Sequence, residues 1–151
     1  MRIIWGAVCS RPQTYVNFST KKGATAGAID YMSESYKNMH YNKPYATTLV
    51  PCAPMSEYIR GINHINFFSL DVEGAELTVL QTIDFTKVTI DAFVIEMDAH
   101  DERRNTQIRI LLKRKGYIEC VSVDTKVNYI FVNKYLLELN CVSCGKAGRV
   151  E

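Results

Sequence analysis

The sequence lacks a long hydrophobic run and a large excess of charge of either sign. No apolar stretch approaches the ~20 residues needed to cross a bilayer, and the first residues lack the charged-then-apolar pattern of a signal peptide. The formal net charge is only +2, with no long basic run, so nothing in the composition indicates a nucleic-acid partner. We therefore expect a globular chain without a membrane segment.

The cysteines also lack a regular pattern. Five are present, an odd number at scattered spacings, which does not predict a disulfide framework. Cys141 and Cys144 have the spacing of half a zinc site, but no second pair follows them, so we expect ordinary thiols. A reducing, cytoplasmic compartment is the simplest expectation.

With 151 residues, 47% of them hydrophobic, the chain has room for one domain with a single sizeable core. We predict a domain over residues 1–135 and a tail over residues 136–151, where the hydrophobic pattern fades.

The most informative stretch covers residues 64–80. An apolar run predicts a buried strand, and Leu77 and Leu80 at helical spacing predict a helix after it. Between them lies an acidic turn that contains Asp71, Glu73 and Gly74. Ligands of open α/β sheets bind beyond the carboxyl ends of the strands, so this turn is the predicted site of chemistry.

Two explanations compete for the acidic residues of this turn. The helix dipole alone favours Glu73 and Glu76 near a helix start, so both have a purely structural explanation. Asp71 is different, because a carboxylate directly after an apolar strand must be hydrogen-bonded, paired or placed in a cleft.

A second strand is predicted over residues 90–96, and it also ends in a carboxylate, Glu96, with Asp98 and His100 just beyond. If the two strands are parallel neighbours, these acidic groups share one edge of the sheet.

The remaining elements are predicted from turn and capping residues. Strands over residues 2–9 and 14–18 could form a hairpin, an extended segment covers residues 47–52, and Ser56 caps a brief helix. Asp101 caps a helix over residues 102–115 that Gly116 ends. Strands over residues 117–123 and 128–132 should pair as an antiparallel hairpin, and a short helix over residues 136–139 follows.

A long loop with at most one helical turn is predicted over residues 19–48. It is rich in tyrosine, and these side chains either stack on a substrate or cover the sheet. His40 has no partner at a recognisable spacing and is predicted to lie on the surface.

The segment Phe67–Leu80, which reads FFSLDVEGAELTVL, resembles the DxEGxE signature of the FkbM-type methyltransferases. Ile95-Glu96, the helix that ends Lys115-Gly116-Tyr117, and the early Gly6-Ala7-Val8 strand are similar to neighbouring elements of that family. The resemblance extends from about residue 2 to residue 132.

This resemblance implies an α/β, three-layer Rossmann-like methyltransferase fold with a mainly parallel sheet and a C-terminal antiparallel hairpin. It implies use of S-adenosylmethionine to methylate a hydroxyl group of a sugar or another small molecule. Asp71, Glu73 and Glu96 would be the catalytic residues, and Asp71, Glu73 and Gly74 would bind the cofactor. A metal ion is an open alternative: Asp71, Glu96, Asp98 and His100 offer hard ligands, but acidic groups at strand ends are common without a metal.

The sequence lacks one part of the family pattern. No GxGxxG-like run precedes the DVEGAE stretch, so we expect an amino-terminally truncated, partial domain. A non-catalytic binding or structural module derived from the same fold is the alternative, and a metal-dependent hydrolase is a third. An exposed sheet edge would favour a homo-oligomer, or completion by a missing amino-terminal half.

Overall fold

A computed structural model describes residues 3–20, 23, 25–120 and 128–138. It shows a mixed α/β protein in which the described elements are distributed over two sheets. The strands are β1 (Ala7–Val8), β2 (Tyr15–Ser19), β3 (Thr47–Ala53), β4 (His64–Leu70), β5 (Thr89–Glu96), β6 (Tyr117–Cys120) and β7 (Asn128–Asn133). The helices are α1 (Glu34–His40), α2 (Met55–Tyr58), α3 (Glu76–Gln81), α4 (Glu102–Arg114) and α5 (Lys134–Glu138).

The larger sheet has the strand order β4-β5-β7-β6. β4 and β5 are parallel, with His64 opposite Thr89 and Leu70 opposite Ile95. β7 is antiparallel to both β5 and β6, so β4, β5 and β6 point the same way. The predicted carboxy-terminal hairpin is confirmed in the pairing of β6 with β7, and its connection, residues 121–127, lies outside the described residues.

The smaller sheet has the order β1-β3-β2. β1 is parallel and β2 antiparallel to β3, which lies between them. The predicted hairpin of the first two strands is therefore wrong. β3 follows the tyrosine-rich region and lies between the two early strands. β1 and β2 each pair with one edge of β3 and not with each other.

The expectation of a mainly parallel sheet holds only in part. Two strand pairs of the described residues, β1 with β3 and β4 with β5, are parallel, and three are antiparallel. The feature that matters for the site is confirmed, because β4 and β5 are adjacent, parallel and end at the same edge.

The main core lies between the larger sheet and its helices. Phe93, Ile95, Leu80, Ile108 and Leu112 are almost fully buried in it. On α4 the buried Ile108 and Leu112 lie four residues apart on one face, and the Asp101 side chain accepts a hydrogen bond from the Arg104 backbone amide at 3.0 Å, as a cap should. β4 and β5 are thereby held in place by packing against the helices.

Two local predictions are corrected. Ser56 lies inside α2, whose cap position is occupied by Pro54 without a side-chain hydrogen bond. The predicted long loop contains a seven-residue helix, α1, capped by Ser33, whose hydroxyl accepts from the Tyr36 backbone amide at 3.1 Å. The last helix begins at Lys134, slightly earlier than predicted.

The smaller sheet contains a disulfide between Cys9 and Cys52, whose Cα atoms are 5.6 Å apart. The expectation of unpaired thiols is wrong for these two residues, because the parallel pairing of β1 with β3 brings together cysteines that are 43 positions apart. The disulfide also removes the reason for expecting a reducing compartment. Cys141 and Cys144 lie outside the described residues.

Within the described ranges, no helix is long and apolar enough to span a membrane.

Candidate active site

A cavity of about 240 Å³ lies where β4 and β5 end, with α1 forming one wall. It is mainly acidic, and its lining includes carboxylates from both strand ends. The lining residues are Ser33, Tyr36, Met39, His40, Asp71, Glu73, Gly74, Glu76, Glu96, Met97, Asp98, Ala99 and His100. The two predicted acidic strand ends therefore meet in one place.

Asp71 and Glu96 form a pair of carboxyl groups in this cavity. Asp71 directly follows β4 and Glu96 ends β5, and their side chains are hydrogen-bonded to each other. Burial, followed by the charge and hydrogen bond of Asp71, raises the pKa of Glu96 above its ordinary value. A carboxyl group with a raised pKa takes up a proton more readily than an ordinary glutamate does, so Glu96 is the proton-carrying candidate of the pair.

Glu73 has an unusual backbone conformation, with a φ of 53° in the left-handed region. A residue other than glycine is held there at a cost of about 1–3 kcal/mol, and such residues concentrate at functional sites. The buried carboxylate of Glu76 secures this turn, because it accepts hydrogen bonds from the amides of Val72 and Gly74 at 3.2 and 3.1 Å. Glu76 therefore supports the backbone on both sides of Glu73.

Burial raises the pKa of Glu76, while its backbone hydrogen bonds and the nearby Arg104 oppose that shift. Its side chain is only 3% exposed, far more buried than a dipole-favoured residue at a helix start needs to be. Sequence analysis assigned Glu76 no role in the site. Glu76 is buried because its side chain turns back to the amides of Val72 and Gly74. The periodic pattern of the sequence does not predict this contact.

The backbone conformation and the close packing of the turn require glycine at position 74. Its φ is 104°, and a Cβ atom there would lie 2.8 Å from the Tyr31 carbonyl oxygen and 2.9 Å from the Arg104 guanidinium. A side chain at this position would therefore clash with atoms of the protein itself. A role for Gly74 in cofactor binding stays a prediction.

Asp98, just beyond β5, connects three parts of the site. Its Oδ2 accepts a hydrogen bond from the Ser33 hydroxyl at 2.6 Å, and its Oδ1 accepts from the His100 amide at 2.8 Å. The buried Asn105 side chain of α4 donates to the Asp98 carbonyl oxygen at 2.8 Å. The loop after β5 is thus fastened to α1 on one side and α4 on the other.

Tyr36 and His40 lie on α1 and line the cavity, and their ring centroids are 4.5 Å apart. His40 is exposed, as predicted, but its place in the cavity wall was not predicted. The two proposed roles of the tyrosines stay predictions. Tyr36 faces the cavity, whereas the Tyr41 hydroxyl donates to the Thr25 carbonyl oxygen and the Tyr31 hydroxyl donates to Gln13. No signal in the sequence distinguishes them.

Among the described residues, no group of three or more His, Cys, Asp or Glu side chains has an arrangement that could hold a metal ion. Asp98 and His100 line the cavity, but Asp98 already accepts hydrogen bonds from Ser33 and from the His100 backbone. All the predicted site residues, Asp71, Glu73, Gly74 and Glu96, do line one cavity. Their catalytic and cofactor-binding roles stay predictions.

These features define an α/β protein with an acidic cavity at the carboxyl ends of two adjacent parallel strands, where open α/β sheets bind ligands. A family model described as "Methyltransferase FkbM domain" matches residues 7–119 of the 151. The chain belongs to this methyltransferase domain family, as the DVEGAE resemblance indicated. No curated protein and no solved structure gives a significant match.

Proposed function

We propose that this protein is an S-adenosylmethionine-dependent methyltransferase with a Rossmann-like fold that acts on a hydroxyl group of a sugar or another small molecule. The observation that carries the proposal is the Asp71–Glu96 carboxyl pair in a cavity at adjacent strand ends, within a chain of this family.

The cavity fits that cofactor in charge and partly in size. S-adenosylmethionine, when bound, supplies a methyl group activated by a positively charged sulfonium. Asp71 and Glu73 are the carboxylates that would face that charge, beside the backbone of Gly74. The volume of about 240 Å³ is below the ~300–1,000 Å³ of whole ligand sites. It is therefore suited to the reacting groups and not to an entire cofactor.

The chain's own residues provide the proton transfer that methylation of a hydroxyl requires. Asp71, in the cavity beside Glu96, would accept the hydroxyl proton, and general-base assistance of this kind contributes about 10²–10⁴-fold. Glu96, next to Asp71, would orient it. Glu76 and the Asp98 contacts hold the loops that carry these groups.

The test is calorimetric titration of S-adenosylmethionine into the wild-type chain and the Asp71→Ala and Asp71→Asn variants. We expect binding by the wild type, and binding weakened by about tenfold or more in both variants, since a charge-assisted interaction with the cofactor is lost. The matched control is Glu102→Gln, which removes the same charge from the exposed face of α4, outside the cavity.

The outcomes separate the two functions. If a folded wild-type chain does not bind, the proposal fails and the non-catalytic module is favoured, in agreement with the absence of a glycine-rich motif from the sequence. If Asp71→Asn and Glu102→Gln weaken binding equally, a general charge effect is responsible and the assignment of the cavity is wrong.

A further inference from the structure

Helix α1 forms one wall of the cavity but has no core of its own. None of its seven residues is buried, and within the described ranges neither hydrophobic cluster contains a side chain of α1. Met39, which lines the cavity, is 53% exposed. A helix of two turns is not stable in water by itself, since isolated helices need about 12–15 residues. Polar contacts must therefore hold α1 against the cavity.

One of these contacts is a hydrogen bond between the start of α1 and the loop after β5. The Ser33 hydroxyl donates to Asp98 Oδ2 at 2.6 Å, across 65 positions of the chain, and accepts from the Tyr36 amide at 3.1 Å. The same hydroxyl thus caps α1 and fastens the helix to the loop that carries Asp98. We call the hydrogen bond between the two side chains the Ser33–Asp98 latch.

Both partners of the latch rest on anchored parts of the fold. Met32, immediately before Ser33, is buried. On the other side, Asp98 Oδ1 accepts from the His100 amide at 2.8 Å, and the Asp98 carbonyl oxygen accepts from the buried Asn105 side chain at 2.8 Å. The start of α1 and the Asp98 loop are therefore fixed, whereas the helix that follows Ser33 has no buried residue.

The cavity is too small to enclose the proposed cofactor while α1 is in place. Its volume of about 240 Å³ is below the ~300–1,000 Å³ of whole ligand sites. Tyr36, Met39 and His40 of α1 line this space, so a displacement of α1 would enlarge it. The carboxylates of the other wall follow β4 and β5, which pack in the main core. α1 is therefore the wall that can move.

We propose that α1 is a lid on the cavity, which the Ser33–Asp98 latch holds closed and which opens to admit S-adenosylmethionine. The inference rests on the function proposed above. Opening exchanges the latch for hydrogen bonds to water, so its cost is modest and the movement is reversible. The buried Met32 keeps the start of the lid in place while the helix swings out.

The first measurement is amide hydrogen exchange of α1 in the cofactor-free chain, on wild type, Ser33→Ala, Asp98→Ala and the double variant. Asp98→Ala keeps the Ser33 cap, and it should speed exchange in α1 about tenfold, because a hydrogen bond to a charged group is lost. Ser33→Ala removes the latch and the cap together. Its effect should be about tenfold smaller in the Asp98→Ala background than in the wild type, since the latch is already absent there.

The second measurement is the rate at which S-adenosylmethionine associates with the immobilised wild type and Ser33→Ala, by surface plasmon resonance. Ser33→Ala removes no charged group from the cavity, so it leaves the attraction for the cofactor unchanged. If the cofactor enters through the open state, its association rate is proportional to the open fraction. We expect this rate to rise in Ser33→Ala by the factor that amide exchange measures for the same variant.

The matched control is Thr86→Ala. The Thr86 hydroxyl donates to the Asp84 carboxylate at 2.6 Å, the same distance and chemistry as the latch, in the connection between α3 and β5. Neither residue lines the cavity. The control should change neither the exchange of α1 nor the association rate. Thermal unfolding of every variant verifies that the fold is retained.

Three results would refute the lid. Amides of α1 that exchange without protection in the wild type would show that no closed state is held. Equal effects of Ser33→Ala in both backgrounds would show that Ser33 acts as a cap and not as a latch. A wild type that binds the cofactor, with an association rate unchanged in Ser33→Ala despite faster exchange, would refute entry through the lid and leave the proposed function standing. A folded wild type that binds no cofactor refutes the proposed function and the lid's role in entry together.

Discussion

The carboxyl groups of Asp71 and Glu96 show how neighbouring parallel strands create a shared acidic environment. Each follows or ends a strand, and the parallel pairing of β4 with β5 brings the two groups together. Carboxyl groups at close range disfavour each other's ionised form. The pKa of Glu96 is accordingly above its ordinary value, because burial and the neighbouring Asp71 both disfavour its ionised form.

This pair predicts a dependence of stability on pH. The pKa of Glu96 is higher in the folded chain than in the unfolded one, so its stabilising contribution is full below the ordinary value near 4.5 and is lost as the pH rises through the folded value. At pH 7 Glu96→Gln should therefore raise the melting temperature, by about 2 °C.

Thermal unfolding at several pH values measures this effect. The gain from Glu96→Gln should shrink as the pH is lowered towards 4.5, whereas the exposed control Glu138→Gln should change little at any pH. A variant that is less stable than the wild type at pH 7 would contradict the raised pKa of Glu96.

The turn between β4 and α3 is the element on which the site depends. It contains the strained Glu73 and the enclosed Gly74, and it is secured by the inward-facing carboxylate of Glu76. Its contacts with the Tyr31 carbonyl and Arg104 link it to the segment before α1 and to α4. The turn is therefore packed on both sides, and this packing compensates for its strained backbone.

A methyl group at position 74 should disrupt this turn. We expect Gly74→Ala to lower the free energy of unfolding by about 2–4 kcal/mol, because a positive φ and a clash with main-chain atoms act together. Denaturant unfolding measures the loss.

Gly61→Ala is the matched control for this substitution. Gly61 also has a positive φ, of 83°, but nothing lies within 4 Å of its added Cβ. It should cost only about 1 kcal/mol, the strain alone. Equal losses in the two variants would show that the packing around Gly74 contributes nothing.

At the scale of the whole molecule, the larger sheet ends at β4, the strand that carries the site. Within the described ranges β4 pairs only with β5, so its other edge has no strand partner. Phe67, in the middle of β4, is 59% exposed. An edge strand with free backbone groups and exposed apolar side chains favours association with another chain.

We therefore expect the isolated chain to self-associate in a concentration-dependent way, measured by size-exclusion chromatography with light scattering. Phe67→Lys should shift the equilibrium towards the monomer, since a charged residue on an edge strand opposes pairing. Ile118→Lys, at a similarly exposed position on β6, is the control and should leave association through β4 intact. A wild-type chain that stays monomeric at high concentration would contradict the expectation.

Local pattern determined the elements that carry the site. The apolar run before Asp71 and the one before Glu96 are confirmed as β4 and β5, and the Asp101 cap and Gly116 mark the ends of α4 as predicted. The DVEGAE residues also indicated the family that the comparison confirmed. These features were accessible because strand and helix periods, capping and a short motif are properties of neighbouring residues.

Tertiary structure alone decided which distant residues meet. Several contacts join segments that are far apart in the chain. They are the pairing of β1 and β2 with β3, the disulfide of Cys9 with Cys52, and the approach of Ser33 and Tyr36 to Asp98 and Glu73. Each depends on how sheets and helices pack, and no local spacing encodes it. The sequence thus determined that the acidic residues stand at strand ends, and packing decided that Asp71 and Glu96 lie together and that Glu76 supports the turn.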